Sequence, residues 1–286
     1  MMHVSGNTKF IVYLLFAFFV WYHPAMAVQL KVCTFNIRYD SGIDGINSWV
    51  NRKSLMLNYL KKQKTDIICL QEVLHHQYVY LLNGLDKYVG VGAGRNDGQT
   101  KGEYAPIFFM KKKFELLDSG VFWLSEVPKK VGSVGWDAKQ PRIVIWTILK
   151  IKKTGEYLVL FNTHLDNIGK RARIESVNLI MDRISNYSAP VILAGDFNDS
   201  PQSKLYQIIT GGQSGMVDTD NSAHRKQGIS YTFHDFGKIQ KTKRNKIDYI
   251  FVKGFKTIKK SVIPLEKQIK NVFLSDHNPI LVTLIL

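Results

Sequence analysis

Val191-Ile192-Leu193-Ala194-Gly195-Asp196-Phe197-Asn198 is an apolar run that ends in a glycine, a carboxylate and an amide. The β-branched residues at its start read as a strand buried on both faces, and the polar residues at its end stand where sheet proteins commonly place their sites. Three other apolar runs close the same way. Val32-Cys33-Thr34-Phe35 leads into Asn36, Ile67-Ile68-Cys69-Leu70-Gln71 into Glu72, and Leu158 to Thr163 into His164. Taken singly, each polar residue also suits a turn or cap. As a set at the ends of four strands they point to a site.

Working outward, further strand-like runs cover Ala105 to Met110, Ile143 to Ile151, Ile247 to Val252 and Pro279 to Ile285. Three stretches read as helix: Trp49 to Lys62, Leu74 to Leu85, and Lys170 to Asn186, where Ile174, Val177, Met181 and Ile184 recur at helical spacing. Gly92 to Gly102 and Gly211 to Gln227 read as loops rich in turn formers. No repeat or composition break divides residues 28–286, so they form one domain. Many strands with few helices predict an α/β or α+β layered fold with a large sheet core.

The polar residues make a chemical inventory. Asn36 with Glu72, Asp196 with Asn198, His164, and Ser275-Asp276-His277 supply carboxylates, amides and imidazoles. Mg²⁺ takes one or two carboxylates plus water and phosphate oxygens, with Mn²⁺ a substitute. Cleaving a phosphate ester also needs a base for water, donors for the developing charge, and a proton for the leaving oxygen. Arg95 and Arg142 are candidates for gripping a phosphate bidentately. Trp49, Trp123 and Trp136 offer either stacking surfaces or packing.

Thr34-Phe35-Asn36-Ile37, Gln71-Glu72-Val73, Asn162-Thr163-His164, Gly195-Asp196-Phe197-Asn198, Ile247-Asp248-Tyr249 and Ser275-Asp276-His277 occur in that order. The set resembles the endonuclease/exonuclease/phosphatase superfamily and covers nearly all of residues 28–286. The resemblance implies a four-layered α/β sandwich, with two facing, mostly antiparallel mixed sheets flanked by helices. It implies a hydrolase in which Glu72 is the principal Mg²⁺ ligand, with Asn36 beside it and Asp276 close to the metal. Asp196 would deprotonate water and Asn198 would hold the phosphate or that base. His164 and His277 would flank the phosphate, supported by Glu103 and Asp248. Nucleic acid is the first expectation for the phosphate-ester substrate, with phospholipid, inositol phosphate or sugar phosphate as alternatives. A non-catalytic polyanion-binding protein is the contrasting reading.

Composition adds bounds. Thirty-nine basic residues against 23 acidic ones give +16, which suits an anionic partner. The basic clusters are Lys111 to Lys113, Lys150 with Lys152 and Lys153, and Lys238 to Lys246; the last precedes a motif and could line a substrate groove. Two cysteines exclude a disulfide scaffold and a cysteine-rich zinc module. Cys33 and Cys69 each lie three residues before a site residue, which predicts neighbouring, buried thiols on the face opposite the site. Phe10 to Trp21 is an apolar run too short to span a bilayer, and Ala25-x-Ala27 suits cleavage before Val28. Residues 1–27 are therefore read as a signal peptide, and residues 28–286 as a monomeric catalytic domain, periplasmic or secreted and without stable membrane insertion.

Overall fold

The computed structural model describes residues 27–212, 214–266 and 268–286; the apolar leader lies outside them. Two sheets face each other. The first has seven strands in the order β10 (Lys226–Gly228), β12 (Thr257–Ile263), β15 (Ile280–Ile285), β1 (Gln29–Asn36), β2 (Ile67–Gln71), β4 (Ile107–Met110) and β3 (Tyr88–Val91). The second has six, β5 (Phe114–Trp123), β6 (Ile143–Ile151), β7 (Tyr157–His164), β8 (Val191–Asp196), β11 (Asp248–Lys253) and β9 (Val217–Asp218). A hairpin of β13 (Gln268–Ile269) and β14 (Val272–Phe273) stands apart. Pairing is antiparallel except at β1–β2, β10–β12 and β7–β8.

Strand alternation builds the layers. Leu30 and Val32 of β1 meet Ile192 and Ala194 of β8 in the core between the sheets. Cys33 and Phe35 face the other way, onto α1 (Trp49–Gln63) and α2 (His75–Gly84). Leu193 and Phe197 likewise pack outward against α3 (Lys170–Ser185) and α4 (Lys204–Thr210). The result is helix, sheet, sheet, helix, the four-layered sandwich that the motif order implied. A one-turn helix, α5 (Thr219–Ser222), lies beside β11 and β12.

The eight strand readings and the three helix readings correspond to elements of the fold, and the differences have local causes. On α3 the buried stripe runs through Arg173, Val177, Ile180 and Ile184, so Ile174 and Met181 flank it. β5 left no apolar run because Glu115 to Asp118 are exposed and the strand bulges between Leu116 and Asp118. The loop expected over Gly211 to Gln227 contains β9, α5 and the start of β10, each too short for a periodic signal.

The cysteine expectation needs correcting. Both thiols are buried and free, but they lie on opposite faces, Cys33 toward the helices and Cys69 in the core between the sheets. The register pairs Cys69 with Thr34 and Asn36 with Gln71. Glu72 lies past the strand end at φ 59°, so it breaks the alternation that the equal spacing assumed. Burial pushes the Cys33 thiol up to about 12 and raises Cys69 as well, which suppresses the reactive thiolate. Native protein should therefore show no thiol reactive toward a disulfide reagent at neutral pH, and denatured protein both.

Candidate active site

The site forms where the apolar core between the sheets runs out. Gly195 makes the junction tight: a Cβ there would sit 2.1 Å from the Thr163 carbonyl oxygen across the β7–β8 pair, so only glycine fits. The same register sets His164 beside Asp196, and Asp196 beside Asp248 on β11. Three strands thus present a histidine and two aspartates at one level.

Across the gap, Asn36 at the end of β1 ties the two sheets together. Its Nδ2 donates to Glu72 Oε1 at 3.1 Å and to Asp196 Oδ2 at 3.0 Å, while its Oδ1 accepts from the Arg38 backbone N–H. A second link lies just below, where Gln71 Nε2 donates to Asn162 Oδ1 at 2.7 Å. Glu72, Arg38 and Asn198 all have left-handed backbones, with φ of 59°, 59° and 51°. Such conformations are costly for side-chain-bearing residues and persist only where the surroundings impose them.

Two imidazoles flank the cleft. His277 Nδ1 lies 2.8 Å from Asp248 Oδ2, and its Nε2 lies 3.7 Å from Asp196 Oδ2. His164 Nε2 accepts from Asn198 Nδ2 at 3.0 Å, with its Nδ1 facing Glu103 Oε2 at 3.6 Å. Glu103 is gripped by both terminal nitrogens of Arg95 at 2.9 Å. Arg95 was a candidate for gripping phosphate; its fork is instead committed to Glu103. Arg142 keeps that candidacy: it is buried, reaches Asp166 at 3.4 Å through Nε, and leaves Nη1 without a partner.

Electrostatics divides the site. Burial raises the Asp196 carboxyl, the Asp248 charge adds to this, and the group is pushed up to about 7. Burial alone would lower His277, but Asp248 outweighs it and pushes the imidazolium up to about 10. His164 moves down through burial and the Arg142 charge, so it stays neutral. Burial opposes ionisation of Glu103, yet its His164 and Arg95 neighbours hold the carboxyl down at about 2.

The cleft encloses about 590 Å³. Of the sequence-derived candidates, Glu72, Arg95, Glu103, Arg142, His164, Asp196, Asn198, Asp276 and His277 line it, with Asn36 and Asp248 directly behind. The motif order, the two facing sheets and this converging set are together decisive, and residues 33–277 match the model of the Endonuclease/Exonuclease/phosphatase family. The chain belongs to that family. It is similar to the crystal structure of an endonuclease/exonuclease/phosphatase from Bacteroides vulgatus, with 43% identity, 90% of this chain and 98% of that one covered, and a TM-score of 0.86. A mannosyl-6-phosphatase from Bacteroides thetaiotaomicron is 31% identical, with 90% of this chain and all of that one covered at a TM-score of 0.82. Nocturnin of Drosophila melanogaster is 25% identical over 177 residues, 57% of this chain but 26% of its own length. Protein angel from the same fly is 29% identical over 60% of this chain and 49% of its own. The chain thus spans about a quarter to a half of these curated relatives.

Members of the Endonuclease/Exonuclease/phosphatase family are metal-dependent, and the donor set fits a hard divalent cation. Glu72 is raised first by burial and further by Asp276 and Glu103 nearby, a concentration of negative charge that a cation would relieve. Asp196, Asp248 and His277 also converge within 4.8 Å. There, however, Asp248 and His277 already satisfy each other, and an imidazole suits Mg²⁺ poorly, which favours Glu72 and Asp276. Asn36 offers its N–H group to the carboxylates, with its oxygen taken by Arg38, so it orients ligands rather than presenting one.

Sequence reasoning missed two arginines. Arg38 is clamped by Asp44 at 3.0 and 3.1 Å and lies 3.9 Å from Glu72 and 3.8 Å from Asp276. Arg52 is fully buried on α1 and donates to the carbonyls of Asn47, Ile37, Leu274 and Arg38. It pins the loop after β1 to the loop before Ser275-Asp276-His277. The helical periodicity of α1 marks position 52 as inward-facing, and that was the one available signal. Arg52→Leu strands these carbonyls, so it should cost roughly 3 kcal/mol, measured by urea unfolding, with activity falling further than stability accounts for.

Proposed function

We propose that the chain is a hydrolase of small phosphate monoesters, a sugar phosphate foremost. Asp196 serves as base toward water. His277, an imidazolium at neutral pH, donates to the phosphate or its leaving oxygen, held in register by Asp248. Neutral His164, fixed by Asn198 and backed by Glu103, faces the phosphate from the other side. Arg142, which lines the cleft and is held by Asp166 and Asn167, supplies a charged donor. A divalent cation at Glu72 and Asp276, Mg²⁺ by preference, would draw negative charge from the phosphate oxygens.

The observation that carries the monoester reading is charge balance. The cleft is lined by Arg38, Arg95, Lys139, Arg142 and cationic His277 against Glu72, Glu103, Asp196, Asp235 and Asp276. Behind them Asp44 pairs with Arg38, Asp166 with Arg142 and Asp248 with His277, which leaves Lys139 as the one lining cation without an ion-pair partner among the described residues, so the cleft offers no basic track for a polyanion and suits a small phosphate ester. The third basic cluster, expected to line a groove, is in part neutralised by carboxylates, of which Asp235 lines the cleft. Lys246 is buried against Asp218 and Asp220, Arg244 pairs with Glu266, and Lys238 pairs with Asp235. The mannosyl-6-phosphatase, whose whole length the chain covers, supports the same class. Nucleic acid is the second reading, favoured by Nocturnin-like relatives over part of their length.

Export completes the proposal. Phe10 to Trp21 followed by Ala25-x-Ala27 supports cleavage before Val28, and N-terminal sequencing of the mature protein should begin at that valine.

A panel of sugar phosphates, inositol phosphates, sphingomyelin, DNA and RNA, each with Mg²⁺ and with EDTA, tests the substrate. Sugar phosphates should show the highest kcat/KM, and EDTA should abolish turnover. Faster cleavage of DNA or RNA would overturn the monoester reading. Glu72→Ala should reduce turnover to background and His277→Ala should lower it ~10²–10⁴-fold, both remaining folded by circular dichroism.

The pH profile follows from the two shifted groups. Asp196 must be ionised, so the rate rises through about pH 7 or below; His277 must be protonated, so it falls through about pH 10. Asp248→Asn removes a charge that raises both groups, so both limbs should move to lower pH. A profile unchanged in that variant would exclude the assigned pair.

A further inference from the structure

Two of the basic clusters are distant in sequence and meet in space. The turn between β6 and β7 lies against the turn between β4 and β5: Lys152 donates through its backbone N–H to the Lys113 carbonyl and through Nζ to the Lys111 carbonyl, each at 2.9 Å. Beside them opens a cavity of about 680 Å³. Six lysines line it, Lys31, Lys61, Lys64, Lys87, Lys112 and Lys113, against two acids, Asp66 and Asp86. Asp66 is already neutralised, since its carboxylate takes the Lys113 ammonium at 2.7 Å and the Lys31 backbone N–H. The other five lysines are exposed and have no ion-pair partner among the described residues.

This pole is remote from the active site. Gln29, at the start of β1, lines the cavity, whereas Asn36, at the end of the same strand, holds Glu72 and Asp196. Seven strand steps place them roughly 23 Å apart. The charge here therefore does not act on the reacting phosphate, because exposed charges separated by more than a Debye length of about 8–10 Å are screened. The chain also enters the sandwich at this pole, since the Val28 carbonyl accepts from Leu286 just before β1.

We propose that this lysine pole docks the protein on an anionic phospholipid surface, with the cleft turned toward solution. A concave, lysine-lined end complements clustered lipid phosphates, and lysine acts on them as a point charge with a flexible reach. The pole offers no apolar anchor of its own. Its cavity holds Leu85, Tyr88 and Met110, of which Leu85 and Tyr88 are buried. Attachment is therefore electrostatic and reversible by salt. The monoester reading is not required for this, because the pole and the cleft share no residue.

The test uses residues 28–286, which contain all three cores and every element of the sandwich. Cosedimentation is measured with phosphatidylcholine vesicles, with and without phosphatidylglycerol, at low and high salt. Binding should require phosphatidylglycerol and disappear at high salt. Replacing Lys61, Lys64, Lys87 and Lys112 together by Gln should weaken it about fivefold per lysine, with kcat/KM on a soluble substrate unchanged. The same change at Lys241, Lys243, Lys259 and Lys260 should have a smaller effect on vesicle binding. Equal binding to neutral vesicles, no binding at all, or binding indifferent to the pole substitutions would each overturn the proposal. So would binding to soluble RNA that needs the pole lysines when vesicles are not bound.

Discussion

One amide side chain constrains the whole site. Asn36 comes from the first sheet and donates both to Glu72 of that sheet and to Asp196 of the second. Because it is fully buried, both bonds are made in a setting where an unmatched polar group is costly. The distance between the sheets at their open end is therefore fixed by polar contacts, with Gln71 and Asn162 making the next one below. Two carboxylates that would repel each other in isolation, Glu72 and Asp196, are thus bridged by one neutral donor. Much of the surrounding structure keeps that amide in place, from the Ser275 hydroxyl bonded to the Asn36 carbonyl to the Arg38 backbone N–H on its oxygen.

The same geometry sorts the ionisable groups. Asp196 and Asp248 lie side by side on adjacent strands, where burial and the Asp248 charge together oppose ionisation of Asp196. His277 resolves the conflict by taking a proton and pairing with Asp248, which leaves Asp196 as the group poised near neutrality. On the other wall the order is reversed. Arg95 and His164 stabilise ionised Glu103, while burial and Arg142 keep the imidazole uncharged. Two histidines in one cleft thus differ in protonation because their carboxylate partners differ in distance, 2.8 Å against 3.6 Å, and in competing cations.

Much of this was legible in the sequence, for physical reasons. Asn36, Glu72, His164 and Asp196 each follow an apolar run, and a polar residue at the end of a buried strand has few places to go except a site or a turn. The layered fold followed from strand-rich periodicity and, in its detail, from the order of six motifs. What escaped depends on pairing between distant segments. Arg52 contacts Leu274 across 222 positions, and Lys246 finds Asp218 and Asp220 at 28 and 26. The cysteine error has the same root, since counting by two assumes a strand that continues, and Glu72 stands where the strand has stopped. A left-handed backbone at a glutamate leaves no trace in composition.

Net charge is the property most easily misread from a sequence, because a sum has no location. Distributed evenly, a surplus of 16 would have surrounded the cleft and drawn in any polyanion. The fold distributes it otherwise. Around the reacting groups, cations are matched by carboxylates, as they must be where burial makes an unpaired charge expensive. Five unmatched lysines, Lys31, Lys61, Lys64, Lys87 and Lys112, line one cavity at the far end of the strands, where solvation makes their mutual repulsion tolerable. Selectivity at the cleft then rests on a few directed donors. An anion held in that cavity is at the wrong end of the molecule for hydrolysis. Those five lysines are thus better suited to positioning the protein than to feeding its active site.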